Sequence, residues 1–422
     1  MTYNEALEYI HSISWTFCKP GLERIGELCE RLGNPQDSLR FVHVAGTNGK
    51  GSFCSMLSSV LRKSGLRVGL YTSPYIRFFN ERMCVDGQPI SNDELAELTE
   101  YVRPIADGMN DKPTEFELIT AIAFEFFKRH NCDVIVLEAG MGGRLDSTNI
   151  IRNPYLSVIT GIALDHTAFL GDSVEKIAAE KAGIIKDGAP ILFGGDDEAA
   201  ASVISETAKR VGSEFYRVDY AKLCNVRPSL DGTVFDLGER TSMRIKLLGM
   251  YQPRNASVVI NAVDILRERG INIPEDALRD GLADAVWSGR FEIICRDPLM
   301  IFDGAHNPQG IHSAVESIKT YFGARKVYLL TGVLRDKDYT AIAKDLSAVA
   351  SRAFTLTPDS PRALSSAEYA ATLNGAGIEA TSYATLSDAL KAAMDSAKKD
   401  SVPLIYLGSL YVYSSLMDEM EK

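Results

Sequence analysis

Short β-branched runs, each followed by a stretch of helical periodicity, recur along this chain and leave few folds open to it. FVHVAG (41–46) leads into an apolar-periodic stretch to about Lys63, and RVGLYT (67–72) follows. LITAIAFEFFKRH (118–130) reads as a helix before the strand DVIVLEAG (133–140); LSVITGI (156–162) and APILFGG (189–195) extend the pattern. A strand apolar along its whole length must be covered on both faces. Strand–helix–strand order supplies that cover and implies a parallel sheet. After GRFEIICRDPLMIFDGAHNP (289–308) the alternation restarts with KVYLLTG (326–332), a helix near 339–350, AFTLT (353–357), a helix near 366–375 and PLIYLG (403–408).

The first strand runs into VAGTNGKGS, Val44 to Ser52. The phosphate-loop pattern is G-x-x-x-x-G-K-[ST]. Here its first glycine position holds Val44, and the hydroxyl arrives one place late, at Ser52. The context still fits, because the loop joins a strand to a helix. Gly46, Gly49 and Gly51 allow backbone N–H groups close to an anion, and the helix N-terminus adds a favourable field. Lys50 supplies a point charge. The expected fold is therefore α/β: a large P-loop NTPase-like parallel-sheet domain over 1–295, then a smaller Rossmann-like α/β domain over 296–422. A length of 422 residues suits more than one domain.

Strand ends are where α/β sheets place ligand groups. DVIVLE delivers Glu138 at such an end. A glutamate there can equally cap a strand at the surface, but AGMGGRLDSTN follows, with three glycines and then Asp146. That composition suits close backbone approach. ALDHTAFLG puts His166 beside Asp165 after the next strand, which makes it a candidate metal ligand. Lys181, in EKAGIIK, reads from spacing alone as a helix-surface lysine. In DGAHNP, Asp303, His306 and Asn307 cluster at a strand end. Arg290, in SGRFE, stands at the expected domain junction, where an arginine can act on phosphate or belong to a linker.

The net charge of −11 disfavours nucleic acid as a partner, since phosphate neutralisation needs a basic face. Seven scattered cysteines with no C-x-x-C pair read as reduced thiols in a cytoplasm, not as a disulfide framework or zinc site. MTYNEALEYI lacks the charged start and apolar run of a secretion signal, and no stretch of about eighteen apolar residues suggests a membrane span.

Together VAGTNGKGS, YTSPYIRFFNER, VIVLEAGMGGRLDSTN, ALDHTAFLG, EKAGIIK, GRFE and DGAHNP resemble, in order, the folylpolyglutamate and dihydrofolate synthases of the Mur ligase superfamily. The resemblance runs from about residue 20 to the C-terminus. It implies an ATP site at Gly46, Thr47, Asn48, Gly49, Lys50, Gly51 and Ser52, with Asn255 of YQPRNA on adenine and Arg290 on the phosphates. Asp303 and His306 match positions on the nucleotide and glutamate side. Ser73, Glu138 and His166 match magnesium ligands, and two Mg²⁺ ions are implied. Lys181 matches a lysine that is carbamylated in relatives, which overrides its bland reading. Lys50, Lys181, His166 and Arg290 would carry the catalysis. Phe116 and Asp146 match positions that meet the pterin, by stacking and by hydrogen bonding.

The implied reaction is ATP-dependent addition of L-glutamate to dihydropteroate, to a reduced folate, or to both, through an acyl phosphate; both is the favoured reading, by a monomer. The alternatives are a synthase acting on folate alone or a P-loop protein without ligase chemistry. No guanine-specific N-K-x-D loop supports the latter. A peptidoglycan-building Mur ligase carries a further domain of roughly 100 residues before its phosphate loop, and 43 residues precede Val44 here. Three positions depart from the family pattern: Tyr251 stands where a histidine is usual, Glu115 where a small or aromatic residue is common, and GSLYVYS lacks a histidine found in some bifunctional relatives.

Overall fold

The computed structural model describes residues 1–13, 20–165 and 167–422. The chain forms two compact units. The first comprises Met1–Tyr75, Phe79–Lys222 and Arg254–Ala285; the second comprises Ile76–Phe78, Leu223–Pro253 and Val286–Lys422. The sequence pattern puts one boundary near Arg296. The structure divides the chain at Ala285 and also gives Leu223–Pro253 to the second unit.

The first unit is built on eight strands: β1 (Phe41–Ala45), β2 (Val68–Tyr71), β3 (Met83–Val85), β4 (Gln88–Pro89), β5 (Val134–Glu138), β6 (Leu156–Ile159), β7 (Ile191–Phe193) and β8 (Phe215–Arg217). Their order is β4-β3-β2-β5-β1-β6-β7-β8. From β2 to β8 the pairs are parallel, and β3 and β4 add an antiparallel edge. β1 and β5 are buried at every residue, as central strands covered on both faces must be. One face packs Phe41, Tyr71 and Leu137 against Ile119, Phe124 and Phe127 of the helix Glu115–Arg129. β1 lies at the centre, where the strand order reverses, so its C-terminal end opens at a switch point.

In the second unit β9 (Leu223–Ser229), β10 (Gly232–Leu237) and β11 (Arg240–Ile245) form an antiparallel sheet. β12 (Glu292–Arg296), β13 (Leu299–Asp303), β14 (Val327–Thr331), β15 (Ala350–Thr355), β16 (Glu379–Ser382) and β17 (Leu404–Leu407) form the other, in the order β12-β13-β17-β14-β15-β16. Only the β12–β13 pair is antiparallel. Helices Pro308–Phe322, Tyr339–Ser347 and Ser366–Gly375 supply one cover, and Leu386–Asp400 joins the other core. No helix among the described residues is long and apolar enough to cross a membrane.

Candidate active site

β1 ends at Ala45, and the chain turns through 46–49 into the helix Lys50–Lys63. A Cβ on Gly46 would lie 2.0 Å from Thr160 Oγ1. A Cβ on Gly49, whose φ is 86°, would lie 2.7 Å from Asn255 Oδ1. Both positions need glycine because something stands against them. Asn255, expected at adenine, is thereby placed against the phosphate loop. Thr160 Oγ1 donates to the Asn48 carbonyl at 2.8 Å, and Thr47 Oγ1 accepts from Ala163 N at 3.1 Å, so the loop is tied to the segment after β6. Gly49 caps the helix without a side-chain hydrogen bond, and the first turn holds no acidic residue. The helix N-terminus therefore presents N–H groups and a positive field suited to an anion. Gly51 and Ser52 lie in that turn, Ser52 buried.

Two amines converge on one backbone oxygen. Lys50 Nζ donates to the Gly46 carbonyl at 3.1 Å, and Lys181 Nζ donates to the same oxygen at 2.8 Å. Lys181 is 3% exposed, so it is no surface lysine. Burial, reinforced by the charge of Lys50, lowers its pKa to about 7, against the pull of Asp165 and Asp146. A neutral amine at physiological pH is the form that reacts with carbon dioxide.

Glu138 ends β5 beside Val44 of β1, its partner in register. Its Oε1 lies 3.9 Å from Lys50 Nζ, and its Oε2 accepts from Ser73 N at 3.3 Å. Arg82 donates to Ser73 Oγ at 3.2 Å. Ser73 and Glu138 are thus brought together with hard oxygen atoms, the donor type a magnesium ion takes. His166 lies outside the described residues. Among those described, no three His, Cys, Asp or Glu side chains gather as a metal set.

Phe116 lies in the first turn of the helix Glu115–Arg129, which a capping box of Thr114 and Glu117 starts. The buried Glu117 also holds Arg24 at 2.9 Å. A Cβ on Gly140 would strike the Phe116 ring at 2.7 Å, so that glycine makes room for the aromatic. On the same loop Asp146 is buried; its Oδ2 accepts from Met141 N at 2.8 Å. Burial raises its pKa, and the backbone and hydroxyl donors around it act the other way. Phe116 and Asp146 therefore share the Gly140–Met141 turn.

In the second unit, Asp303 ends β13 and is 2% exposed. Tyr251 donates its hydroxyl to Oδ2 at 2.9 Å, and Ala305 N donates to Oδ1 at 2.8 Å. Burial raises the Asp303 pKa, opposed by the charge of Arg290. A Cβ on Gly304 would be 3.4 Å from an Arg290 guanidinium nitrogen. His306 Nδ1 lies 2.9 Å from the Gly304 carbonyl oxygen, and Asn307 caps the helix Pro308–Phe322. Arg290, Asp303 and His306 are accordingly grouped. Tyr251, noticed in the sequence only as a departure, is the partner that fixes Asp303. Arg82 and Thr160 were missed outright. Each acts through one tertiary contact, and neither periodicity nor spacing marks such a residue.

The Mur ligase middle domain family matches residues 44–263, and the Mur ligase glutamate ligase domain family matches 289–408. The folylpolyglutamate synthase of Lacticaseibacillus casei is 37% identical over 99% of this chain and 98% of its own length. The dihydrofolate synthase/folylpolyglutamate synthase of Bacillus subtilis is 36% identical over 99% of each. The solved structure of Escherichia coli FolC in complex with DHPP and ADP superposes with a TM-score of 0.87 at 31% identity, covering 100% of this chain and 98% of that one.

Proposed function

Because the chain belongs to the Mur ligase family, in its branch of folylpolyglutamate and dihydrofolate synthases, we propose a reaction in which its residues join L-glutamate to both dihydropteroate and reduced folates. It is an ATP-dependent ligase. The observation that carries the reading is the pair of amines on the Gly46 carbonyl beside Glu138, at the switch-point end of β1.

The γ-phosphoryl group of ATP passes to the acceptor carboxylate, giving an acyl phosphate and ADP. The glutamate amine attacks the acyl carbon, the tetrahedral intermediate expels phosphate, and an amide remains. Such chemistry asks for a charge clamp on the moving phosphoryl group more than for a covalent nucleophile. Gly46 to Ser52 cradle the phosphates, with Lys50 as the near charge and Arg290 as a second. Asn255, against Gly49, reads the adenine. Asp303 and His306 serve the nucleotide and glutamate side. Ser73 and Glu138, with His166, would hold magnesium, which when bound neutralises phosphate charge. Lys181, which burial leaves partly as the neutral amine near pH 7, would take up carbon dioxide as a carbamate with release of a proton, giving an anion suited to a second ion. Phe116 stacks on the pterin and Asp146 accepts from its N–H groups.

The L. casei relative carries the name of one activity and the B. subtilis relative the names of both, so a synthase acting on folate alone is the second reading. Mass spectrometry separates them. Purified protein is incubated with ATP, magnesium and glutamate, with dihydropteroate in one tube and tetrahydrofolate in another. A glutamyl increment in both is expected. An increment only with tetrahydrofolate leaves the single activity, and none in either removes the ligase reading.

A further inference from the structure

Behind Asp146 stand two buried side chains that take no part in the chemistry above. Thr148 lies two residues on, in the short turn Ser147–Ile150 that Asp146 itself caps. Its hydroxyl is 2.6 Å from Asp146 Oδ1, and its backbone N–H donates to the same oxygen at 3.0 Å. His43, in the centre of β1, places Nε2 2.9 Å from the Thr148 hydroxyl. Both side chains are fully buried. The other ring nitrogen, His43 Nδ1, has no hydrogen-bond partner among the described residues.

This short chain can run in two directions. In one, His43 Nε2–H donates to Thr148, which donates to an ionised Asp146. In the other, a protonated Asp146 donates to Thr148, which donates to Nε2, and the ring proton sits on Nδ1. A neutral imidazole carries one N–H, so the directions are exclusive. The second leaves a buried N–H unmatched, and the first leaves only a lone pair. Orphaned buried N–H groups are the rarer and costlier defect. The Met141 and Thr148 backbone N–H groups can only donate, so they too favour the ionised carboxylate. His43 stays neutral: burial takes its pKa down to about 3, with the charge of Lys186 adding to the effect.

We infer that His43 and Thr148 are positioning residues that hold Asp146 as a hydrogen-bond acceptor, so that the pocket selects heterocyclic acids presenting N–H donors to it. The inference rests on the assignment of Asp146 to the heterocycle. It adds what makes a buried carboxyl group act as an acceptor, and why a threonine follows two places after it. Nothing along β1 marks His43 in the sequence, where it is one apolar-flanked position among five.

The tautomer can be read without any substitution. Nitrogen NMR of protein labelled at histidine is expected to show His43 as the Nε2–H form, and an Nδ1–H form overturns the inference. Steady-state kinetics with dihydropteroate and tetrahydrofolate then test its use. Thr148→Val keeps the shape and removes the hydroxyl. It is expected to raise KM for the heterocyclic acid about tenfold, the effect of one lost hydrogen bond to a charged group, with KM for ATP unchanged. Thr148→Ser is expected to restore KM to within about threefold, roughly half a hydrogen bond. An equal rise in both KM values, or a serine variant as poor as the valine one, reduces Thr148 to a structural residue and overturns the inference. Asp146→Ala separates the two layers. If it leaves KM for the acid unchanged, the assignment of Asp146 fails, and the inference with it. If it raises KM while Thr148→Val does not, only the part played by Thr148 and His43 fails.

Discussion

Lys181 shows how far one side chain's chemistry depends on its surroundings. Its amine is buried against the Gly46 carbonyl, and its lowered pKa makes it available to carbon dioxide near neutrality. Lys181→Ala is expected to reduce turnover by at least about a hundredfold, the scale of losing a group that acts only in the transition state. Bicarbonate or a short carboxylic acid should return part of it; unchanged turnover would remove Lys181 from the mechanism. The same group affects stability with a definite sign. Between about pH 7 and the ordinary lysine range near 10.5, the unfolded chain holds a proton on Lys181 that the folded chain has released. Stability from this group therefore rises with pH across that window, and its penalty is largest below pH 7. Thermal melts of Lys181→Met against the parent should show a gain in Tm at pH 6.5 that shrinks towards pH 10. Gly46→Ala adds a Cβ 2.0 Å from Thr160 Oγ1. A loss of about 1–3 kcal/mol is expected from chemical denaturation, together with weakened ATP binding by calorimetry.

At the scale of elements, the helix Glu115–Arg129 sets Phe116, the aromatic proposed for the heterocycle. Its capping box is the start signal, and Thr114→Ala is expected to destabilise the protein by about 0.5–2 kcal/mol. Because Phe116 lies in the first turn, the same variant should raise KM for the heterocyclic acid more than KM for ATP. Equal changes would show that the cap serves only the fold. Much of the element plan could be read from residues. β1, the loop at 46–49 and the helix Lys50–Lys63 stand where FVHVAG and GTNGKGS put them, because a short, largely apolar β-branched run and a glycine cluster admit little else. The helix near 339–350 ends at Ser347, and the following strand starts at Ala350. Propensity blurs at such ends, where the last helical turn and the next strand compete for the same apolar residues. What stayed hidden was tertiary. Spacing alone made Lys181 a surface lysine, and only packing buries it. The grouping of Tyr251, Asp303 and Arg290 joins positions some fifty residues apart in sequence, and no local pattern carries that.

For the whole molecule, the second unit is not a C-terminal piece. Its apolar core includes Leu248 and Phe291, both of which precede residue 296. A fragment of residues 296–422 also lacks Glu292–Cys295 of β12, which leaves an edge of β13 unpaired. That fragment is expected to give a non-cooperative melt and poorly dispersed NMR spectra. A sharp two-state transition would mean that Leu223–Pro253 adds nothing essential.

The interleaving also imposes an order in time on a chain made from one end. β9 to β11 leave the ribosome before the helix Pro308–Phe322, which lies against β9, has been synthesised. Phe235, Met243 and Ile245 line one buried side of that small sheet. At about 5–20 residues per second, the rest of the chain takes on the order of ten seconds to follow. For that interval the sheet is an unfinished surface, and whatever shelters nascent chains from one another has its work there.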